Sequence, residues 1–495
     1  MEITDLTPAE RRVVEAFPRG EGVDFLGDAG DDAGDDAGPG ASRGPERTVR
    51  AEVLRALLLD GPRQDGEIAG LKMSGARITG GLDLRYGTVN CPVRLRACHF
   101  EEAPNLYGAQ LRALVLTDSM LPGLTAGNLR VDLALRMSRC RVTGPLRLAG
   151  AQVGGAVFLD GARLAAEGGG QAPAATLLSL NHATIGADIW AVGLVVHGET
   201  RLNGATVGGR INLDDATLRC PGGTALYGES LSVGADLRAM RLRAVGRIDL
   251  TGATVPGQLN LAYARLSNPG GLALRASSCV VGELWLREAA PIEGAVNLRR
   301  SQLELLHISP EVWPDQVMID GLGYGRLAPH LPAEQRLPLL EREQAGYLPF
   351  TYEQLATAYR SAGDEAAART VQFAKIRRHR RTLPWHARVW GALQDVTVGY
   401  GFRPMRAAGW LAALLLTGTV AFALNHPPAL KPGEAPDFNP AFYTLDLLLP
   451  IVGFGQETAY APQGAYQWLA YLLIIGGWVL ATTIAAGVTR SLSRQ

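Results

Sequence analysis

The phrase Gly-Ala-x-Φ-x-Gly-x-Φ-x-Φ, with Φ an aliphatic residue, recurs as Gly75 to Leu84, Gly150 to Leu159, Gly204 to Leu213 and Gly252 to Leu261. Its apolar positions alternate and then stop, so the pairs Leu82/Leu84, Val157/Leu159, Ile211/Leu213 and Leu259/Leu261 read as short strands; a helix needs apolar residues three and four apart. The glycine ahead of each pair marks a corner. Looser copies run from Cys140 to Leu148, Ala183 to Ala191 and Cys279 to Leu286, and neighbouring pairs lie 11 to 13 residues apart (82/84 to 93/95, 146/148 to 157/159). A fixed short period of this kind specifies a solenoid. If two phrases make one coil, the stretch from Ile68 to Leu306 holds about ten coils, stacked about 4.8 Å apart.

With 48 basic and 48 acidic residues the net charge is zero, which removes the global electrostatic footprint of a nucleic-acid binder. Lysine stands only at 72, 375 and 431, a bias that, with the abundant Ala and Gly, points to a GC-rich bacterial genome. Cys91, Cys98, Cys140, Cys220 and Cys279 share no metal or redox spacing and are expected as small inward residues of the coil. Met1 to Phe17 is charged throughout, so no secretory signal is expected, and the solenoid is assigned to a reducing cytoplasm.

Along the chain, Thr7-Pro8 starts a capping helix in segment 1–26. Residues 27–47 form an acidic Gly/Asp/Ala linker whose spacing matches neither an EF-hand nor a calcium-binding nonapeptide, and 48–67 holds an amphipathic helix that caps the first coil. The β-solenoid repeats occupy 68–308. A helical hairpin and a basic juxtamembrane region follow over 309–406, with Leu355 and Tyr359 before the Gly363-Asp364 break and a second helix over Ala366 to Arg381.

Ala407 to Leu424 and Trp468 to Val488 contain no charged residue. Each is long enough for a bilayer core of about 30 Å, which predicts transmembrane helices over 407–424 and 467–488, an external loop over 425–466 and a cytoplasmic tail over 489–495. Small residues four apart, Gly409/Ala413/Thr417 and Gly477/Ala481/Ala485, predict close approach of the two helices. By the positive-inside rule both termini face the cytoplasm of a bacterial inner membrane. Lys375, Arg377, Arg378, Arg380, Arg381 and Arg388 are then placed to contact anionic lipid headgroups in preference to nucleic acid. In the loop, Val452, Gly453, Phe454 and Gly455 are similar to the filter of a potassium-channel pore module, flanked by Pro450-Ile451 and Gln456-Glu457 in place of the usual Thr and Asp; the other reading is an interfacial cover.

No dinucleotide fingerprint, phosphate loop, zinc-protease helix or nucleophile elbow occurs, so no catalytic, cofactor-binding or metal residue is assigned. The fold class expected is mainly β: a right-handed parallel β-solenoid with helical caps, an α-helical hairpin and two C-terminal transmembrane helices. Arg50 to Leu59, Gly75 to Leu84, Tyr352 through Arg381 and Gly399-Tyr400-Gly401-Phe402-Arg403-Pro404 together resemble actinobacterial pentapeptide-repeat-like β-solenoid membrane proteins. That resemblance covers nearly the full length and implies a two-helix membrane anchor and the label membrane-associated oxidoreductase. The chain departs from strict five-residue spacing, which leaves the number of residues per coil open. The function expected is a cytoplasm-facing scaffold, alone or as a homo-oligomer, with a protein partner on the solenoid face; a redox enzyme and a cation pore are the alternatives.

Overall fold

The computed structural model describes residues 5–26, 44–62, 65–166, 175–382, 404–431, 435–449 and 453–492. They fall in two compact units, Met1–Asp364 and Glu365–Gln495.

The first unit is built around a parallel β-solenoid of about 11 turns. Register partners such as Lys72 and Arg94, Thr88 and Gln110, or Arg130 and Gln152 lie 22 positions apart, so two eleven-residue phrases close one turn. One turn has four sides, carrying in order the strands Arg130–Val131, Leu135–Arg136, Arg141–Val142 and Leu146–Arg147. Each side sends a pair of side chains inward: Leu129/Val131, Leu135/Met137, Cys140/Val142 and Leu146/Leu148 are all buried. The pairs begin at 129, 135, 140 and 146, a spacing that alternates between six and five. The departure from strict pentapeptide spacing therefore has a structural cause. Every eleventh residue, as at Asn128, Arg139, Gly150 and Gly161, turns a corner with positive φ. In the phrase it is the first glycine that holds this left-handed corner, at φ +67° for Gly150 and +61° for Gly204, where glycine bears no Cβ penalty.

The other corner is governed by stacking. Gly186, Gly208 and Gly234 sit above one another, and a Cβ on Gly208 would lie 2.4 Å from the carbonyl oxygen of Gly186. Toward the C-terminal end the short strands fuse. The first and second sides become continuous over Thr254–Asn260, Val280–Leu286 and Gln302–Ile308, and the third and fourth over Thr217–Tyr227 and Arg265–Arg275. The coil also runs past residue 308, since Gly323–Ala328 pairs in parallel with Gln302–Ile308.

Both ends are covered. Helix α1 (Pro8–Ala16) begins with a capping box between Thr7 and Glu10, and α2 (Ala51–Asp60) buries Val53, Leu54, Leu57 and Leu58. Strands Gly22–Asp24 and Thr48–Arg50 already belong to the coil, pairing with Leu71–Ser74 and Arg77–Thr79. At the far end α3 (Ala333–Glu341) and α4 (Pro349–Ser361) close the stack, with Gln354 Nε2 donating to the Tyr324 carbonyl at 2.6 Å. Such caps keep the last rung from pairing with another chain.

The second unit corrects the expected fold class. Helix Glu365–Thr382 opens it, and the two uncharged stretches lie in helices Pro404–Leu424 and Ala465–Leu492. Among the described residues, however, no helix is long and apolar enough to cross a membrane, so the two C-terminal transmembrane helices are withdrawn. Some of their apolar character goes into an internal core, where Phe422, Ala470 and Leu473 pack with Tyr443, Leu447 and Leu448 of the short helix Pro440–Leu448. The small residues serve that short helix as well: a Cβ on Gly477 would meet the Leu448 carbonyl oxygen at 2.1 Å, whereas one on Gly409 would meet nothing within 4 Å.

Candidate functional site

Because every turn adds one residue to each outward position, the sides of the solenoid carry columns of side chains at about 4.8 Å intervals. On the first side the column includes Thr184, Thr206, Ser232 and Thr254, all exposed and uncharged. The second side mixes aromatic and polar residues: Phe158 partners Trp190, the Arg136 guanidinium lies 3.7 Å from the centroid of the Phe158 ring, and Trp285 stacks on His307 at 4.5 Å. Asn212, between the inward Ile211 and Leu213, is nonetheless covered there, and its Oδ1 accepts from the Asp214 backbone N–H.

Toward its C-terminal end the fourth side is internally compensated, although Arg147 on the same side has no carboxylate within 4.0 Å among the described residues. Asp249, outward yet only 1% exposed, lies 3.5 Å from both Arg247 and Arg275, and Arg201 and Arg247 flank the face of Tyr227. The third side is not. Arg141 is the register partner of Arg163, and Arg243 that of Arg265, all four exposed, with Arg219 on the same side next to His197. Its N-terminal rung is neutralised, since Arg77 pairs with Glu101 at 2.6 Å. Arg139 and Arg241, at the adjoining corner, are likewise held by Asp118 and Asp215. Among the described residues no carboxylate lies within 4.0 Å of Arg141, Arg163, Arg219, Arg243 or Arg265. Like charges directly opposite one another destabilise a sheet, so this stripe stands out against its paired neighbours.

The last coil, α3 and α4 line a cavity of about 770 Å³, walled by Leu327, Leu331 and Ala358 with Arg336 and Tyr359. Arg336 is 7% exposed, and one of its terminal nitrogens donates to the Pro329 carbonyl. Tyr359 donates its hydroxyl to the Leu331 carbonyl at 2.6 Å and so faces Arg336 as an acceptor. Burial pulls the Arg336 guanidinium below its ordinary pKa and pushes the Tyr359 phenol above its own. At the rim, Glu304, Arg326 and His330 are exposed, and His330 Nε2 is 3.3 Å from Asp364.

Cys98, Cys140, Cys220 and Cys279 are buried and Cys91 is half-buried. Burial pushes the Cys140 thiol up to about 12 and that of Cys279 to about 11, which leaves them as packing residues rather than nucleophiles. Among the described residues no group of three His, Cys, Asp or Glu side chains is placed to hold a metal ion.

Of the residues singled out by sequence, Lys375, Arg377, Arg378, Arg380 and Arg381 lie on helix Glu365–Thr382, where Arg377 sits 5.2 Å from the Phe373 ring centroid; Arg388 lies outside the described residues. Val452 also lies outside them. Gly453, Phe454 and Gly455 follow helix Pro440–Leu448, whose buried Asp446 carboxylate accepts the backbone N–H groups of Phe454, Gln456 and Glu457 at 2.7 to 2.9 Å. Sequence reading passed over Asp446, Arg336 and the third-side arginines. The 22-residue interval between Arg141 and Arg163, repeated between Arg243 and Arg265, carried that last signal, but only once the coil length is known. Arg336 leaves no such trace, since α3 shows no charge pattern that marks one arginine for burial.

Comparison with protein-family models, with curated proteins and with solved structures finds no match, so the β-solenoid stands on its own geometry and the likeness to actinobacterial membrane proteins gains no support.

Proposed function

We propose that this protein is a β-solenoid scaffold whose third side binds an extended acidic segment of a partner protein. The observation that carries the reading is the in-register stacking of exposed arginines without carboxylates on a side whose other cations are paired. Guanidinium groups form bidentate, charge-assisted hydrogen bonds with carboxylates, and a ladder of them reads an extended chain better than a compact one. The pairs Arg141/Arg163 and Arg243/Arg265 are separated by the rungs of Val195 and Thr217, where Arg219 stands at the neighbouring outward position; from Arg141 to Arg265 the six rungs span about 24 Å, enough for about seven residues of extended peptide. The solenoid supplies rigidity, because each rung is fixed by the one below.

The test replaces Arg141, Arg163, Arg243 and Arg265 by Gln in the full chain and titrates a fluorescent ten-residue poly-glutamate peptide over a range of salt concentrations. Binding to the parent that weakens with salt and falls about tenfold or more in the variant is expected, with Thr184→Ala/Thr206→Ala behaving as the parent. Equal binding by parent and arginine variant, or a clear preference for duplex DNA over the peptide, refutes the reading. The glutamine variant should also melt no lower than the parent, since like-charge rungs are removed.

A further inference from the structure

The cavity between the last coil, α3 and α4 poses a separate electrostatic problem. Arg336 is more than nine-tenths buried in its wall, yet among the described residues no carboxylate lies within 4.0 Å of its guanidinium. Its identified partners, the Pro329 carbonyl and the Tyr359 hydroxyl, are neutral. Five N–H donors in a fixed planar fork exceed what those two acceptors take. A buried cation balanced only by dipoles is costly, and the structure carries it beside a space of about 770 Å³, within the range that holds small-molecule ligands.

The walls specify the rest of the ligand. Leu303, Leu327, Leu331, Ala358 and Ala362 present an apolar surface. Arg326 and Glu304 stand at the exposed rim with opposite charges, so the uncompensated charge in the cavity is that of Arg336. His330 is already engaged by Asp364 and by an edge contact with Tyr359, ring centroids 6.1 Å apart. We infer that the cavity is a binding site for a small apolar monocarboxylate, its carboxylate on Arg336 and its hydrocarbon body along the leucines. A single buried cation matches a monoanion, and the guanidinium fork matches the two oxygens of a carboxylate. A doubly charged phosphate would leave one charge unpaired in a largely apolar space.

Calorimetric titration of the full chain with decanoate, decanol and inorganic phosphate tests this. Decanoate is expected to bind once per chain and to raise the melting temperature, with decanol and phosphate each weaker by about tenfold or more. Arg336→Met, similar in length and uncharged, should weaken decanoate by about tenfold or more without lowering the melting temperature. Ser361→Trp, at the exposed mouth, should block decanoate independently of charge and covers the case in which the methionine variant folds poorly. Decanol binding as tightly as decanoate, phosphate binding more tightly, undiminished decanoate binding in both variants, or no saturable binding at all each overturns the assignment.

Discussion

Glu10 shows how one buried carboxylate ties the N-terminal cap to the coil. Its side chain is fully buried, and its two oxygens accept from the backbone N–H groups of Thr7 and Arg50 and from the Arg50 guanidinium at 2.8 to 3.0 Å. Burial alone would raise its pKa, but the hydrogen bonds from Arg50 and the two backbone amides prevail and hold it at about 2, below the ordinary 4.5. A carboxylate whose folded pKa is depressed contributes stability above its unfolded pKa and loses it as pH falls through the folded value. The contribution, at most about 3 kcal/mol, is therefore present above pH 4.5 and should be lost between pH 4.5 and pH 2. Urea unfolding of Glu10→Gln and the parent across this range should show a gap that closes toward pH 2; a gap independent of pH means that packing, and not charge, is what Glu10 supplies.

At the level of the element, a turn is a compromise between closing the coil and leaving room for the next one. The positive-φ corner accepts several residue types, since Asn128, Arg139, His182 and Asp215 stand where the phrase has glycine. The stacked corner is more exacting. Thr206→Val removes only an exposed hydroxyl, but Gly208→Ala drives a methyl group into the Gly186 carbonyl and must push adjacent coils apart. The alanine variant should lose about 1 to 3 kcal/mol in chemical denaturation and the valine variant a few tenths at most. Equal losses would mean that the corner relaxes freely. An interior charge is worse than either: Leu213, 4% exposed, faces a column of aliphatic residues with nothing to pair an aspartate.

For the whole molecule, the division after Asp364 gives a prediction of its own. The C-terminal turn of α4 closes inside the first unit, with the Gly363 N–H on the Arg360 carbonyl, the Asp364 N–H on the Tyr359 carbonyl and Gly363 at φ +80°. The end caps and the arginine stripe all lie within Met1–Asp364. A fragment of residues 1–364 should therefore be monomeric, give a β-rich circular dichroism spectrum and unfold with the sharp transition of an intact stack. A fragment that aggregates, or that unfolds over a broad range at low urea, would show that the second unit is required for the first to fold.

The repeat and its strand character were legible from residues 75 to 261 because an inward pair is a local signal: two aliphatic residues separated by one suffice to define it. Coil length was not legible in the same way, since the phrases do not say how many of them close a turn; the 22-residue register between stacked strands decides it. What the sequence did not reveal depends on which residues become neighbours across turns. Arg141 and Arg163 form a charged rung only because both occupy the outward position of the third side, and Arg336 is a cavity residue only because α3 lies across the last coil. The C-terminal helices make the same point from the other side. Hydropathy counts apolar residues along one segment, whereas Phe422 and Leu473 meet Tyr443 and Leu448 through contacts between segments that no window spans. Periodicity is written in near neighbours along the chain; charge compensation and burial are decided by neighbours in space.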